Sequence, residues 1–175
     1  MRYNPQNADI IHQHRQEKHE PHGENTMTGK ELWNIFIKQN DLPEIAPDYD
    51  AWSFGSAADE LAHLVVTGVK TATSSAYPLY ELKREPLPLS NVYSVILDSK
   101  GNAVCVIKTT KVEVVPFDEV TAEHAYKEGE GDRSLDRWKE VHEKFFTKAL
   151  GKVGLQFTPD MKVVCEEFTV VYKQS

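Results

Sequence analysis

The chain has 175 residues, 40% of them hydrophobic, which suits one ordinary domain with a real core and leaves little room for two. Its net charge of −7 and its lack of a long basic run argue against tight, non-specific binding to a polyanion, and leave open a nucleoside or a short single-stranded RNA held locally. No apolar run approaches the ~18–20 residues that span a membrane, the N-terminus is polar with no visible secretion signal, and Cys105 and Cys165 each sit in an apolar run without a CxxC partner, so no membrane association and two buried thiols in a reducing cytoplasm are expected.

Residues 1–26 are rich in His, Gln, Glu and Asn, and hold four of the seven histidines, His12, His14, His19 and His22. Clustered histidines can bind zinc or nickel, but the composition reads first as a solvated polar extension, so no metal is assigned. A single domain is expected over 27–175. Thr28 and Glu31 form an S/T-x-x-E capping box, and Leu32, Trp33, Ile35, Phe36 and Ile37 give the following helix a broad apolar side. Residues 41–51, with Pro43 and Pro47, read as a loop. Trp52-Ser53-Phe54-Gly55 leads into a second helix with Ser56 as N-cap, Ala58, Leu61, Ala62, Leu64 and Val65 as its buried face, and Gly68 as its stop. Val69 to Tyr77 favours an extended segment, and Pro78 to Pro88 a loop.

Val92 to Leu97 reads as a strand, Asp98-Ser99-Lys100-Gly101-Asn102 as a hairpin turn, and Ala103 to Val115 as a long, bent partner strand. Phe117 to Tyr126 looks helical with Asp118 as cap, and Glu128-Gly129-Glu130-Gly131-Asp132 is a loop. Ser134 caps a helix carrying Leu135, Trp138, Val141, His142, Phe145, Ala149 and Leu150 at three- and four-residue steps. Met161 to Tyr172 is a closing strand. Hairpin-linked strands with a helical insertion imply a mixed or antiparallel curved sheet in an α+β fold with about four helices.

Three groups of residues can carry chemistry. Lys70 and Thr73 meet only if the chain turns between them. A threonine hydroxyl needs a base to become a nucleophile, and a desolvated lysine can be one; the ordinary outcome for this spacing is a surface lysine beside a strand threonine. Glu128, Glu130 and Asp132 alternate without the D-x-D-x-D-G spacing of a calcium loop, which leaves either a general acid or base or a solvated turn. The aromatic residues Trp52, Phe54, Tyr77, Tyr80, Tyr126 and Trp138 offer faces on which a base can stack, although most aromatics in a domain of this size are core. His142, one turn after Trp138, is either a site residue or a half-buried helix histidine.

Taken together, Trp52-Ser53-Phe54-Gly55, Ala58-Asp59, Leu61, Gly68 and Lys70-Thr71-Ala72-Thr73, with Pro116-Phe117, His124-Ala125-Tyr126-Lys127-Glu128-Gly129-Glu130-Gly131-Asp132, Trp138, His142 and Phe145-Phe146, resemble an ASCH domain of the longer bacterial type, from about Met27 to the C-terminus. The resemblance implies a PUA-like β-barrel decorated by helices, with RNA- or nucleoside-related work in a cleft beside it. A small bacterial branch of the family hydrolyses N4-acetylcytidine with a Lys, the second Thr of K-T-x-T and a Glu after H-A-x-x-E, which match Lys70, Thr73 and Glu128. On that reading Lys70 activates Thr73, and Glu128 protonates the leaving amine. Trp52, Phe54, Ser75, Tyr77, Asp132, Trp138 and His142 are the expected substrate-binding residues. No cofactor is implied, and the partner is a modified nucleoside or a short single-stranded RNA. Two rival readings follow from the same resemblance, an RNA-binding module without catalysis and a ribonuclease. The small enzymes carry an Arg soon after K-T-x-T, where this chain has Ser75 and Ala76.

Overall fold

The structure, a computed structural model, describes residues 27–40, 49–55 and 57–173. The histidine-rich segment and Ser56 lie outside them. Helix α1 (Gly29–Gln39) starts at the expected capping box: Thr28 Oγ1 accepts from the Glu31 amide at 3.2 Å, and the Glu31 carboxylate accepts from the Thr28 amide at 2.8 Å. Its Leu32, Trp33 and Phe36 are buried against Val95, Leu97, Ala103 and Val106.

Strand β1 (Tyr49–Ser53) occupies part of what the sequence presents as a loop. Its pairing is with a distant segment, parallel to β3 (Tyr93–Leu97), and Trp33 stacks on Tyr49 at 4.6 Å between ring centroids. Local composition carries no trace of either contact. Helix α2 (Ala58–Val66) has Ala57 at its N-cap without a side-chain cap. Its Asp59 instead accepts from the Ser99 amide and hydroxyl, both at 2.8 Å, and so ties the helix to the β3–β4 hairpin.

Strand β2 (Ala72–Ala76) runs directly into helix α3 (Tyr77–Lys83), a helix absent from the sequence expectation. Pro78 misleads there. A proline in the first helical turn removes no hydrogen bond, because the amides of that turn have no partner inside the helix. Strand β4 (Ala103–Pro116) pairs with β3 and, along most of its length, with β5 (Lys162–Lys173), with register shifts between Val106 and Ile107 and between Thr109 and Lys111. Such irregularities bend a strand and increase its twist. Among the described residues the sheet order is β1-β3-β4-β5-β2, antiparallel except at β1–β3.

A short 3-10 turn (Phe117–Glu119) precedes α4 (Ala122–Glu128), so the expected single helix over 117–126 is divided, and Thr121 rather than Asp118 caps it, accepting from the His124 amide at 3.1 Å. Helix α5 (Leu135–Gly151) begins at Ser134 as expected. One apolar cluster (Trp52, Phe54, Leu61, Val65, Ile96, Ile107, Phe168) packs α2 against the sheet, and another (Leu79, Phe117, Trp138, Phe146, Leu150, Val163) joins the sheet to α3 and α5. Among the described residues no helix is long and apolar enough to cross a membrane.

The end of α4 is clamped against the start of β2. The Thr71 amide donates to the Lys127 carbonyl at 2.8 Å, and the Phe168 amide to the Thr71 carbonyl at 2.9 Å. Gly129 makes this approach possible. Its φ is +77°, and a Cβ there would lie 2.6 Å from the Val69 carbonyl oxygen.

Candidate functional site

The clamp brings Lys70 and Glu128 together across 58 residues of chain. Lys70 Nζ donates to Glu128 Oε2 at 2.9 Å, to Glu130 Oε1 at 2.7 Å and to the Glu128 carbonyl at 3.3 Å, and lies 5.4 Å from the centre of the Phe54 ring. The Lys70 side chain is 1% exposed and that of Glu128 2%, whereas Glu130 is 34% exposed.

Glu128 is crowded with donors. Its Oε1 accepts from Ser74 Oγ at 2.6 Å and from Trp138 Nε1 at 2.8 Å, with His124 Nε2 at 3.4 Å and His142 Nε2 at 3.5 Å. Since Ser74 gives its only proton to Glu128, it accepts from His124 Nε2 at 2.9 Å, which fixes a proton on that nitrogen. His142 Nδ1 faces the Trp138 carbonyl at 3.0 Å and therefore donates to it, and its ring stacks on Trp138 with centroids 4.1 Å apart.

These contacts set the charges. Burial opposes ionisation of Glu128, but Lys70, His142 and His124 hold its carboxyl well below the usual range. Burial likewise disfavours the Lys70 ammonium, yet Glu128 and Glu130 keep it above the ordinary lysine value. The resting pair is carboxylate and ammonium, so Lys70 is not the neutral base that the sequence reading assigns to it. Burial lowers His142. His124 is raised from 6.5 to about 9: burial works against the cation, and its contacts with Cys165 and Glu128 outweigh that.

The sign for His124 follows from its raised value. A raised folded-state pKa stabilises the fold fully below the unfolded value and loses that contribution as pH climbs through the folded one. The melting temperature should therefore decline between pH 6.5 and about 9, and His124→Gln should remove most of that decline in a thermal melt series. His142 and Glu128, both lowered, act on the acid side of the profile.

A cleft of about 290 Å3 opens onto this arrangement, lined by Glu60, Glu128, Glu130, Arg137, Trp138 and His142 among others. That lies near the lower end of ligand clefts, which run from about 300 to 1,000 Å3. It offers three carboxylates, a guanidinium and an aromatic edge around one small volume.

The expected site residues divide. Lys70, Glu128, Phe54, Trp138 and His142 come together. Phe54 and Trp52 are both buried and meet edge to face at 4.9 Å, so Phe54 packs beneath Lys70 and offers no open face for stacking. Thr73 is buried on β2 with its hydroxyl lacking a hydrogen-bond partner, opposite Glu166 on β5, and contacts neither Lys70 nor Glu128 through a hydrogen bond. Ser75 bonds Tyr80 at 2.9 Å, Tyr77 lies under the Lys162 ammonium at 5.3 Å, and Asp132 accepts from the Ser134 amide and hydroxyl; none of the three lines the cleft.

Ser74, His124 and Arg137 were not among the expected site residues, and Glu130 was raised only as one of three alternating acids. The signals were present for two of them. His124 stands four residues before Glu128, which puts both on one face of a helix. Ser74 neighbours Thr73 in a strand and so faces the opposite way, toward α4. Ser74 is fully buried and gives its proton to Glu128, so it positions that carboxylate.

A family model described as ASCH domain matches residues 50–172. The chain is similar to the ASCH domain of Lactobacillus crispatus JV V101, with 30% identity over 82% of this chain and 94% of that one and a TM-score of 0.78. It is also similar to a crystal structure of a protein from Enterococcus faecalis V583, with 38% identity over 82% of this chain and 87% of that one and a TM-score of 0.73. No curated protein matches the chain.

Proposed function

This chain belongs to the ASCH domain family, a PUA-like fold family with proposed RNA-related roles, and on that footing we propose that it is an amidohydrolase acting on an N4-acylated cytidine. The observation that carries the reading is the buried Lys70–Glu128 pair, whose carboxylate reaches the wall of a cleft sized for a nucleoside.

The charges assign the work. Lys70, an ammonium, polarises the acyl carbonyl and holds the oxyanion as it forms. Glu128, a carboxylate with a strong hold on its charge, takes the proton of the attacking oxygen and returns it to the departing N4 amine. The product pair is cytidine and the carboxylic acid, with one water consumed. Two sources of the attacking oxygen fit the site, the uncommitted Thr73 hydroxyl and a water on Glu128. The Thr73 route needs the hydroxyl and Glu128 to approach one another when substrate enters. We assign the attack to Thr73, whose oxygen takes the acyl group as the C–N bond breaks; a water deprotonated by Glu128 then hydrolyses that ester, releasing the carboxylic acid and restoring the Thr73 hydroxyl. Thr73→Val should then fall below about one hundredth of the parent rate, and retention of more than about one tenth would give the step to water.

The reaction is tested by incubating the full chain with acylated cytidines and with short single-stranded RNAs, followed by chromatography. Release of cytidine from the acetyl nucleoside is the expected result. Cut RNA would make the protein a nuclease, and saturable binding without product would make it a reader of modified bases. Either outcome overturns the amidohydrolase reading.

A further inference from the structure

A second cleft, of about 270 Å3, shares no lining residue with the first. Much of its charged wall is engaged in ion pairs. Lys127 is held by Glu123 and Glu167, and Lys111 by Glu113, with Glu167 at 3.9 Å. Between these pairs the cleft reaches two groups of a different kind, the Cys165 thiol and the His124 imidazole.

Their proximity follows from the sheet register. Cys165 on β5 stands directly opposite Ser74 on β2, so the two side chains share a face. Ser74 Oγ is 2.9 Å from His124 Nε2, and His124 and Cys165 both line the second cleft. Cys165 is only 7% exposed, but that exposure opens into the cleft. The pair is not part of the chemistry assigned to Lys70 and Glu128.

We propose that Cys165, set beside His124 at the floor of this second cleft, is a reactive thiol whose substrate class is small peroxides. With His124 standing as the imidazolium, the thiolate sulfur attacks one oxygen of the peroxide. The S–O bond forms as the O–O bond breaks. The leaving oxygen collects the proton from His124 and departs as water, or as an alcohol from an alkyl peroxide. Sulfur is oxidised by two electrons to the sulfenic acid, and the peroxide is reduced by the same two. The modified sulfur sits one imidazole away from Glu128, since His124 contacts both.

The chain supplies its own control. Cys105 is fully buried among apolar residues, and burial pushes its thiol up to about 12. It offers no access, and the nearby Lys173 ammonium does not offset the effect of burial.

The test uses the full chain, hydrogen peroxide and a dimedone trap, with peptide mass mapping of each cysteine in the folded and the urea-denatured protein. In the folded protein Cys165 should be trapped at least about tenfold faster than Cys105, and faster than Cys165 itself in urea, where the two cysteines become equal. His124→Gln, folded by circular dichroism, should bring the Cys165 rate down about tenfold while leaving Cys105 unreactive. Should that variant not fold, the comparison of folded with denatured parent protein decides. Cys165 reacting more slowly folded than denatured, or at an unchanged rate in folded His124→Gln, overturns the proposal.

Discussion

Lys70→Ala should lower the unfolding free energy by about 3–5 kcal/mol, because it takes the principal counter-charge from the buried Glu128. Both side chains of the pair are almost wholly removed from solvent, and the carboxylate is held ionised by contacts that remain after the lysine is gone. A buried ion pair gains little relative to an apolar replacement of both members, yet losing one member costs heavily. The same logic predicts that Lys70→Met combined with Glu128→Gln recovers a good part of the loss, since the amide still accepts from Ser74 and Trp138 without a net charge to strand. Glu130→Gln should cost under about 1 kcal/mol, because that carboxylate is a third exposed and water screens it. Urea denaturation of Lys70→Met, Glu128→Gln and the variant that combines them gives the coupling directly. A loss below about 1 kcal/mol in Lys70→Ala would mean that water reaches the pair in solution. Alanine variants chosen on sequence grounds to kill activity and spare the fold are thus the wrong reagents here.

The sequence carried the elements whose signals are local. The capping boxes and caps at Thr28 and Ser134, the hairpin at Asp98 to Asn102 and the long strand after it all stand where periodicity and turn chemistry put them. What composition could not carry was tertiary pairing. Strand β1 exists through its parallel partner β3, and α3 exists although Pro78 usually signals a break. The site divides along the same line. Resemblance to a family supplied Lys70 and Glu128, and their spacing of more than fifty residues gave no independent sign of contact. What joins them is a close approach of two backbones at Gly129, a property of three-dimensional packing. Thr73 and Ser74 show the limit from the other side. Both are hydroxyls on one short strand, and only the direction of the strand's pleat decides which of them faces Glu128.

Glu128→Gln should reduce kcat/KM for acetylcytidine cleavage by about 10²–10⁴, the usual worth of a positioned acid–base group. The substitution is close to isosteric, so the acceptor for Ser74 and Trp138 is preserved, and Lys70 keeps Glu130 as a partner. What disappears is the capacity to take a proton from the attacking oxygen and hand it to the N4 amine. Substrate binding should change far less, because the cleft keeps Trp138, Arg137 and Glu60. The variant therefore separates two roles that a buried carboxylate can have. If Glu128 only holds Lys70 and Trp138 in place, the amide does that nearly as well, and kcat falls by less than about tenfold. If it moves protons, kcat collapses while KM stays near the parent value, and the pH profile loses its acidic limb, which in the parent protein marks protonation of a carboxylate held well below its ordinary range.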